Sequence, residues 1–164
     1  MDILATVSRA MVVEADADAV FALLADVPRS IAHFPDVESV ASEGGVWRWR
    51  LQEKGAGPLR FRVEYGSRYF TEPATRRVWW ERVPEIGNTL VDGRWLIEPV
   101  GGGTRITMEA RFVVTTSFPR LARPAVEAVI ARENERLIGL YMQNLAVTLR
   151  RSEEHTSELQ SQFR

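Results

Sequence analysis

Cysteine is absent from the 164-residue chain, which excludes a disulfide framework, a Cys-ligated zinc or iron–sulfur site and a thiol nucleophile. Histidine is almost as scarce. Of the two, His155 belongs to a C-terminal segment set apart below, which leaves His33 alone in the body of the chain. A His-based metal site or a Ser-His-Asp triad is therefore poorly supplied, and neither a metal nor a cofactor is expected. Lysine occurs once, at Lys54, and no glycine-rich phosphate loop precedes it. Neither sign of charge is in excess: 21 basic and 22 acidic side chains give a net charge of -1, so nothing favours a nucleic-acid partner. Long apolar runs are missing too. The longest, Ala19–Ala25, is far short of the roughly 20 residues of a membrane-spanning helix. Met1-Asp2-Ile3 lacks the basic start and apolar run of a secretory signal, so no membrane span and a cytoplasmic location are expected.

What remains is the composition of one globular domain, 45% hydrophobic and 26% charged. The last fourteen residues, Arg151–Arg164, read RSEEHTSELQSQFR and depart sharply from what precedes them. They resemble the in-frame translation of a sequencing adapter and are expected to be a non-native tail, disordered or irregular. The domain is accordingly expected to span residues 1–150.

Residues 1–14 read as a strand. Asp16 or Asp18 can cap a short helix carrying Val20, Phe21 and Leu24 on one face. Pro28 is placed to open a second short helix, which Pro35 stops. From Asp36 to Thr115 the apolar period becomes two. Trp47, Trp49 and Leu51 alternate with Arg48 and Arg50, and Phe61, Val63 and Tyr65 alternate with Arg62 and Glu64. Further alternating runs are broken by short Gly- and Pro-containing turns, among them Gly101-Gly102-Gly103, which reads as a hairpin turn. This predicts antiparallel neighbours with one buried face and one wet face. Arginines and glutamates interleaved on the wet face are explained by cross-strand pairing. A helix follows from about Arg120 to Arg150, with an apolar stripe of Val126, Val129, Ile130, Leu137, Leu140, Tyr141 and Leu145. The order predicts an α+β fold. A curved antiparallel sheet of about six to seven strands wraps around a long C-terminal helix, and two short helices follow the first strand.

Three segments carry a family resemblance: Val20-Phe21-Ala22-Leu23-Leu24-Ala25-Asp26, Pro35-Asp36-Val37-Glu38-Ser39-Val40, and Gly93–Thr107 with its Glu98-Pro99 and glycine turn. With the order of elements, they resemble the START-like helix-grip (SRPBCC) superfamily over nearly all of the body. The nearest branches are polyketide cyclase/dehydrase-like, coenzyme Q-binding-like and carbon monoxide dehydrogenase-subunit-like. The resemblance implies an apolar cavity between sheet and long helix that takes lipids, quinones, polyketides or other small hydrophobic molecules. Some members are enzymes and some are not, so the fold alone leaves the activity open.

Alternation places Trp47, Trp49, Phe61, Tyr65, Trp95, Met108 and Phe112 on the inward face, as the candidate lining. Trp79 and Trp80 are adjacent and must point to opposite faces. On the helix, advancing about 100° per residue from Val126 puts Glu133 near about 340° and Asn144 near about 0°, inside the apolar stripe. A carboxylate facing an apolar sheet is costly unless paired or protonated. Glu133 and Tyr141 are therefore the candidate polar contacts. Three readings stand side by side. The first is a binding protein for a small hydrophobic molecule. The second is a cyclase- or dehydratase-like enzyme using Glu133 with Tyr65 or His33 for proton transfer. The third is an accessory protein of a larger enzyme, its cavity filled by side chains.

Overall fold

A computed structural model describes residues 1–163. The chain runs β1 (Asp2–Val13), α1 (Ala17–Ala25), α2 (Val27–Ile31), β2 (Val37–Glu43), β3 (Val46–Leu51), β4 (Lys54–Ala56), β5 (Leu59–Phe61), β6 (Glu64–Glu72), β7 (Arg77–Gly87), β8 (Thr89–Val100), β9 (Gly103–Thr115) and α3 (Arg123–Gln162). Seven strands form one sheet in the order β1-β9-β8-β7-β6-β3-β2, and β4 and β5 form a separate two-stranded ribbon. All pairings are antiparallel. This is the α+β helix-grip architecture that the order of elements implies.

Local chemistry sets the element ends. Asp16, rather than Asp18, caps α1: its carboxylate accepts from the Ala19 amide at 2.8 Å. Asp18 is instead paired with Arg76 at 2.7 Å. Asp26 caps α2 in the same way, with Pro28 in the first turn. Val100 pairs with Gly103, so Gly101 and Gly102 alone turn the β8–β9 hairpin, and Gly102 takes φ +80°.

The run from Leu59 to Tyr65 reads as one alternating strand, yet the chain breaks it between Phe61 and Glu64. Asn88 accounts for the break. Its side chain accepts from the Glu64 amide at 3.0 Å and donates to the Arg62 carbonyl at 2.7 Å, drawing the strand start towards the β7–β8 turn. A bulge lies at the same place, where pairing shifts between Tyr65–Gly87 and Gly66–Val83. The alternation survives the break, and Phe61, Val63 and Tyr65 all face inward.

Trp80 is the inward member of its pair, 6% exposed. It fits because its register partner is Gly93, where a Cβ would stand 2.2 Å from the indole. Trp79 lies on the outer face, stacked on Phe70 with ring centroids 5.4 Å apart. The interleaved charges pair across strands, as in Arg94–Glu109 at 2.8 Å and Arg82–Asp92, where Nε and Nη2 both donate to Oδ2.

The concave face is covered by α3. Its buried residues are Val126, Ile130, Leu137, Ile138, Gly139, Tyr141, Met142, Leu145 and Leu149. On the same wheel these centre near about 80°, not near zero. Leu140, expected inside, is 37% exposed. The difference arises because Val126, the origin of the wheel, lies at the edge of the stripe. Beyond Arg150 the helix continues to Gln162, which departs from the irregular tail expected. Helix elongation adds a hydrogen bond for each residue fixed, and Arg, Glu, Leu and Gln in this stretch are good helix formers. Arg164 lies outside the described residues.

From Arg151 to Phe163 every residue is exposed except the half-buried Glu153, so this extension buries almost no apolar surface. Truncation after Arg150 is expected to leave the thermal midpoint within error. A fall of several degrees would show that the extension packs, since about 1 kcal/mol moves the midpoint roughly 2–4 °C at this chain length.

Candidate functional site

Between the sheet and α3 lies a void of about 80 Å³. Its walls come from α2, from β3 and β6 through β9, and from α3, with Phe34 and Phe61 from connecting segments and the β4–β5 ribbon. Alternation on the strands and the buried stripe on the helix supply these side chains, so the walls are mostly aromatic and aliphatic. Trp49 stacks on Tyr65 with centroids 5.5 Å apart and planes at 14°. Phe34 meets Trp49 edge-on, and Trp95 lies between Trp80 and Tyr141. Such offset and edge-on contacts hold rings in fixed orientations.

Of the residues expected to line a cavity, the structure brings together Trp49, Phe61, Tyr65, Trp95, Met108, Phe112, Glu133 and Tyr141. Trp47 is left out. It shares the inward face with Trp49 but stands two residues nearer the Gly44-Gly45 turn, roughly 6.6 Å along the strand, where it packs half-buried against the core. His33 is also outside the walls. Its Nδ1 meets the Arg29 carbonyl and its Nε2 the Thr148 hydroxyl, both at 2.7 Å, so both ring nitrogens are engaged in holding α2 to α3. Asn144 is part of the same seam: its amide donates to the His33 carbonyl at 2.9 Å.

Glu133 does not sit unpaired against apolar walls. It lies at the edge of the stripe, its side chain 23% exposed, and contacts Arg136 at 3.0 Å. Arg136 also binds Asp36, and Asp36 in turn binds Lys54. Asp36, Lys54 and Glu133 are all wall residues that remain partly exposed. They form a charged rim where the void meets solvent. The Arg136 and Lys54 hydrogen bonds hold the Asp36 carboxyl below its ordinary value of 3.8. Asp36 occupies left-handed backbone, φ +57°, a conformation that Asp tolerates better than most residues.

Inside the rim the polar groups are neutral. All three tyrosines, Tyr65, Tyr69 and Tyr141, line the void. Burial pushes the Tyr141 hydroxyl up to about 12, against the pull of its hydrogen bond to Ser30. Burial also raises Tyr65 and Tyr69, with no hydrogen bond offsetting it at Tyr65. At neutral pH these phenols donate and accept hydrogen bonds but do not act as bases. The Trp49 indole N–H lies close to the Tyr69 hydroxyl but completes no hydrogen bond.

One wall residue escapes a reading of the sequence that starts the wheel at Val126. Asn134 stands at the centre of the buried stripe, near about 80° on the wheel. Its neighbours at i−4, i+3, i+4 and i+7 are Ile130, Leu137, Ile138 and Tyr141, all buried. The Asn134 Nδ2 is buried with no protein acceptor. That apolar spacing around a lone amide is the signal that could have found it.

Fold and enclosed aromatic void together define a helix-grip α+β protein. The chain belongs to the polyketide cyclase / dehydrase and lipid transport family, whose model matches residues 5–149. Among solved structures it is similar to a protein of Thermus thermophilus, with 22% identity and a TM-score of 0.63 over 88% of this chain and 99% of that one. It is also similar to the Zhui aromatase/cyclase of Streptomyces sp. R1128, with 20% identity and a TM-score of 0.65 over 91% and 95%. A norcoclaurine synthase of Thalictrum flavum shares 12% identity with a TM-score of 0.62 over 93% and 98%. At these identities the likeness is one of fold. No curated protein matches the chain.

Two substitutions test the rim. Asp36→Asn keeps a residue tolerant of left-handed backbone and removes the charge, at an expected cost of about 1–2 kcal/mol at neutral pH for a partly exposed, doubly bonded carboxylate. Because the folded-state value is depressed, this stabilisation is present above the ordinary carboxylate value and lost as pH falls through the folded one. Thermal melts of both proteins should therefore differ at pH 7 and converge towards pH 3. A gap independent of pH would remove the charge from the explanation. Glu133→Gln should lower stability by less than about 1 kcal/mol, as for other partly exposed pairs. A rise in melting temperature would mean that Glu133 carries an unrelieved desolvation cost.

Proposed function

We propose that the protein binds a small, flat hydrophobic molecule between the sheet and α3. The observation that carries this reading is the wall itself: Trp49, Tyr65, Trp80, Trp95 and Tyr141 present rigid aromatic faces to one void. Rings packed only to fill a core would interlock without a gap, whereas these leave space bounded by neutral hydroxyl and amide groups. Family membership points the same way, since the family is described by polyketide cyclase, dehydrase and lipid transport roles.

The size of the void matters. About 80 Å³ suits several waters or a small fragment, against roughly 300–1,000 Å³ for a drug-sized ligand. A larger guest requires the walls to move. The same small volume favours the third reading, an accessory protein whose cavity side chains largely fill.

An enzyme reading draws on the cyclase and synthase relatives but has fewer residues to work with here. Glu133 is tied to Arg136, and His33 is engaged on both nitrogens outside the walls. Proton transfer would fall to a Glu133 released from its pair by the guest, since burial keeps Tyr65 protonated.

Titration with a naphthoquinone is expected to quench tryptophan emission saturably, because Trp49, Trp80 and Trp95 line the void. Apolar surface removed from water contributes about 25 cal/mol per Å², so the guest's flat area sets the affinity. No saturable signal with a quinone, a fatty acid or a naphthyl probe would support the filled, accessory reading instead.

A further inference from the structure

The centre of α3's buried face carries a half-buried amide, Asn134, whose Nδ2 is left without a partner. Asn is a poorer helix former than Leu or Met, and Asn134 stands at helical spacing from the buried Ile130, Leu137, Ile138 and Tyr141, between the void and a groove along β1. A buried N–H without a partner lowers stability. No protein group accepts from the Asn134 Nδ2, although the residue lines the void. Local rules broken without a structural return concentrate at functional positions.

We infer that Asn134 is the specificity-determining residue of the void, donating its amide hydrogen to an oxygen acceptor, such as a ketone carbonyl, on the buried end of an otherwise apolar guest. This rests on the ligand-binding reading above. The chemistry around Asn134 selects the class of acceptor. Beyond the rim the polar wall groups are neutral phenols, hydroxyls, indoles and amides, the Asn134 amide among them. The formal charges among the walls are those of Glu133, Asp36 and Lys54, which are already paired directly or through Arg136. A carboxylate or ammonium at the buried end would lose its hydration without a counter-charge, whereas a neutral carbonyl gives up little and gains the amide. A pure hydrocarbon of the same shape would leave Nδ2 covered and unbonded, because it displaces any water there without replacing its hydrogen bond.

Acetophenone and ethylbenzene differ in whether one carbon carries a carbonyl oxygen and are close in size, so the pair isolates the acceptor. Binding of each to the full-length protein is read by amide chemical-shift titration. The wild-type protein should prefer the ketone by roughly 5- to 100-fold, the range that one buried hydrogen bond spans. Asn134→Leu removes the amide at similar volume. It should bring the ratio near one while ethylbenzene binding is kept or strengthened, and thermal stability should hold or rise. Asn134→Ala provides a second test of the ratio should the leucine variant fold poorly. A preference for the ketone that persists in both variants would overturn the role of Asn134. Equal affinities in the wild-type protein would overturn the acceptor class. If neither compound binds the wild-type protein, the ligand-binding reading itself falls, an outcome separate from the other two.

Discussion

The concave face of a seven-stranded sheet has one helix to cover it, and most of the molecule follows from that constraint. An antiparallel sheet with one wet face must bury the other, and α3 supplies the apolar stripe that does so. A straight helix and a curved sheet meet closely at some places and part at others. Near the N-terminal end of α3, Val126 and Ile130 pack on Ile3 and Val114. Further along, Ile138, Tyr141 and Leu145 join the larger core with Trp49, Trp80 and Trp95. The void lies among large aromatic rings held at fixed angles by one another and by Tyr141 of the helix.

α2 closes one side of that space, and it and the residues after it are attached to α3 by polar contacts. Ser30 meets the Tyr141 hydroxyl, His33 meets Thr148, and the His33 carbonyl accepts from Asn144. Hydrogen bonds of this kind contribute roughly 0.5–1.5 kcal/mol each, modest beside the burial of several large side chains, but they fix register where apolar contact alone would permit sliding. Across the opening, the Asp36 carboxylate joins the segment after α2 to both α3 and the β4–β5 ribbon. Its left-handed backbone shows that the chain accepts local strain to place that carboxylate there. Tyr141 therefore has two roles, a wall of the void on its ring and a clamp on α2 through its hydroxyl.

Much of this is legible in the sequence, for reasons that differ by element. Strand alternation has period two and no free origin, so Trp49, Phe61, Tyr65, Trp95, Met108 and Phe112 can be assigned to one face without a structure. Depth along the strand is not encoded in alternation, which is why alternation groups Trp47 with Trp49 although it stands beyond the void. The choice between Trp79 and Trp80 needs the register with Gly93, a long-range pairing. The helical stripe has a free origin. Anchoring it on Val126 turns the wheel by about 80°, bringing Glu133 to the centre and leaving Asn134 at the margin. Adjacent residues differ by about 100° on a helix, so this one error exchanges the candidate polar residue for its neighbour. The pairing of Glu133 is not readable either, since Asp36 and Lys54 come from distant parts of the chain.

The corrected stripe changes the chemistry that the site can offer. A carboxylate at the centre of the apolar face would have been a strong acid–base candidate, with burial forcing its proton affinity upward. An amide does not ionise at neutral pH and cannot serve as an acid–base catalyst, and phenols raised by burial ionise only at high pH. The interior is thus suited to orienting a neutral guest by hydrogen bonds and aromatic contact, while all ionised groups are confined to the rim. Proton transfer on a bound guest would require a reacting atom near the opening, within reach of Glu133 or Lys54, rather than at the aromatic inner end. Depth of binding and reactivity are therefore separate in this fold: the inner end of the void recognises, and only its mouth carries charge that could react.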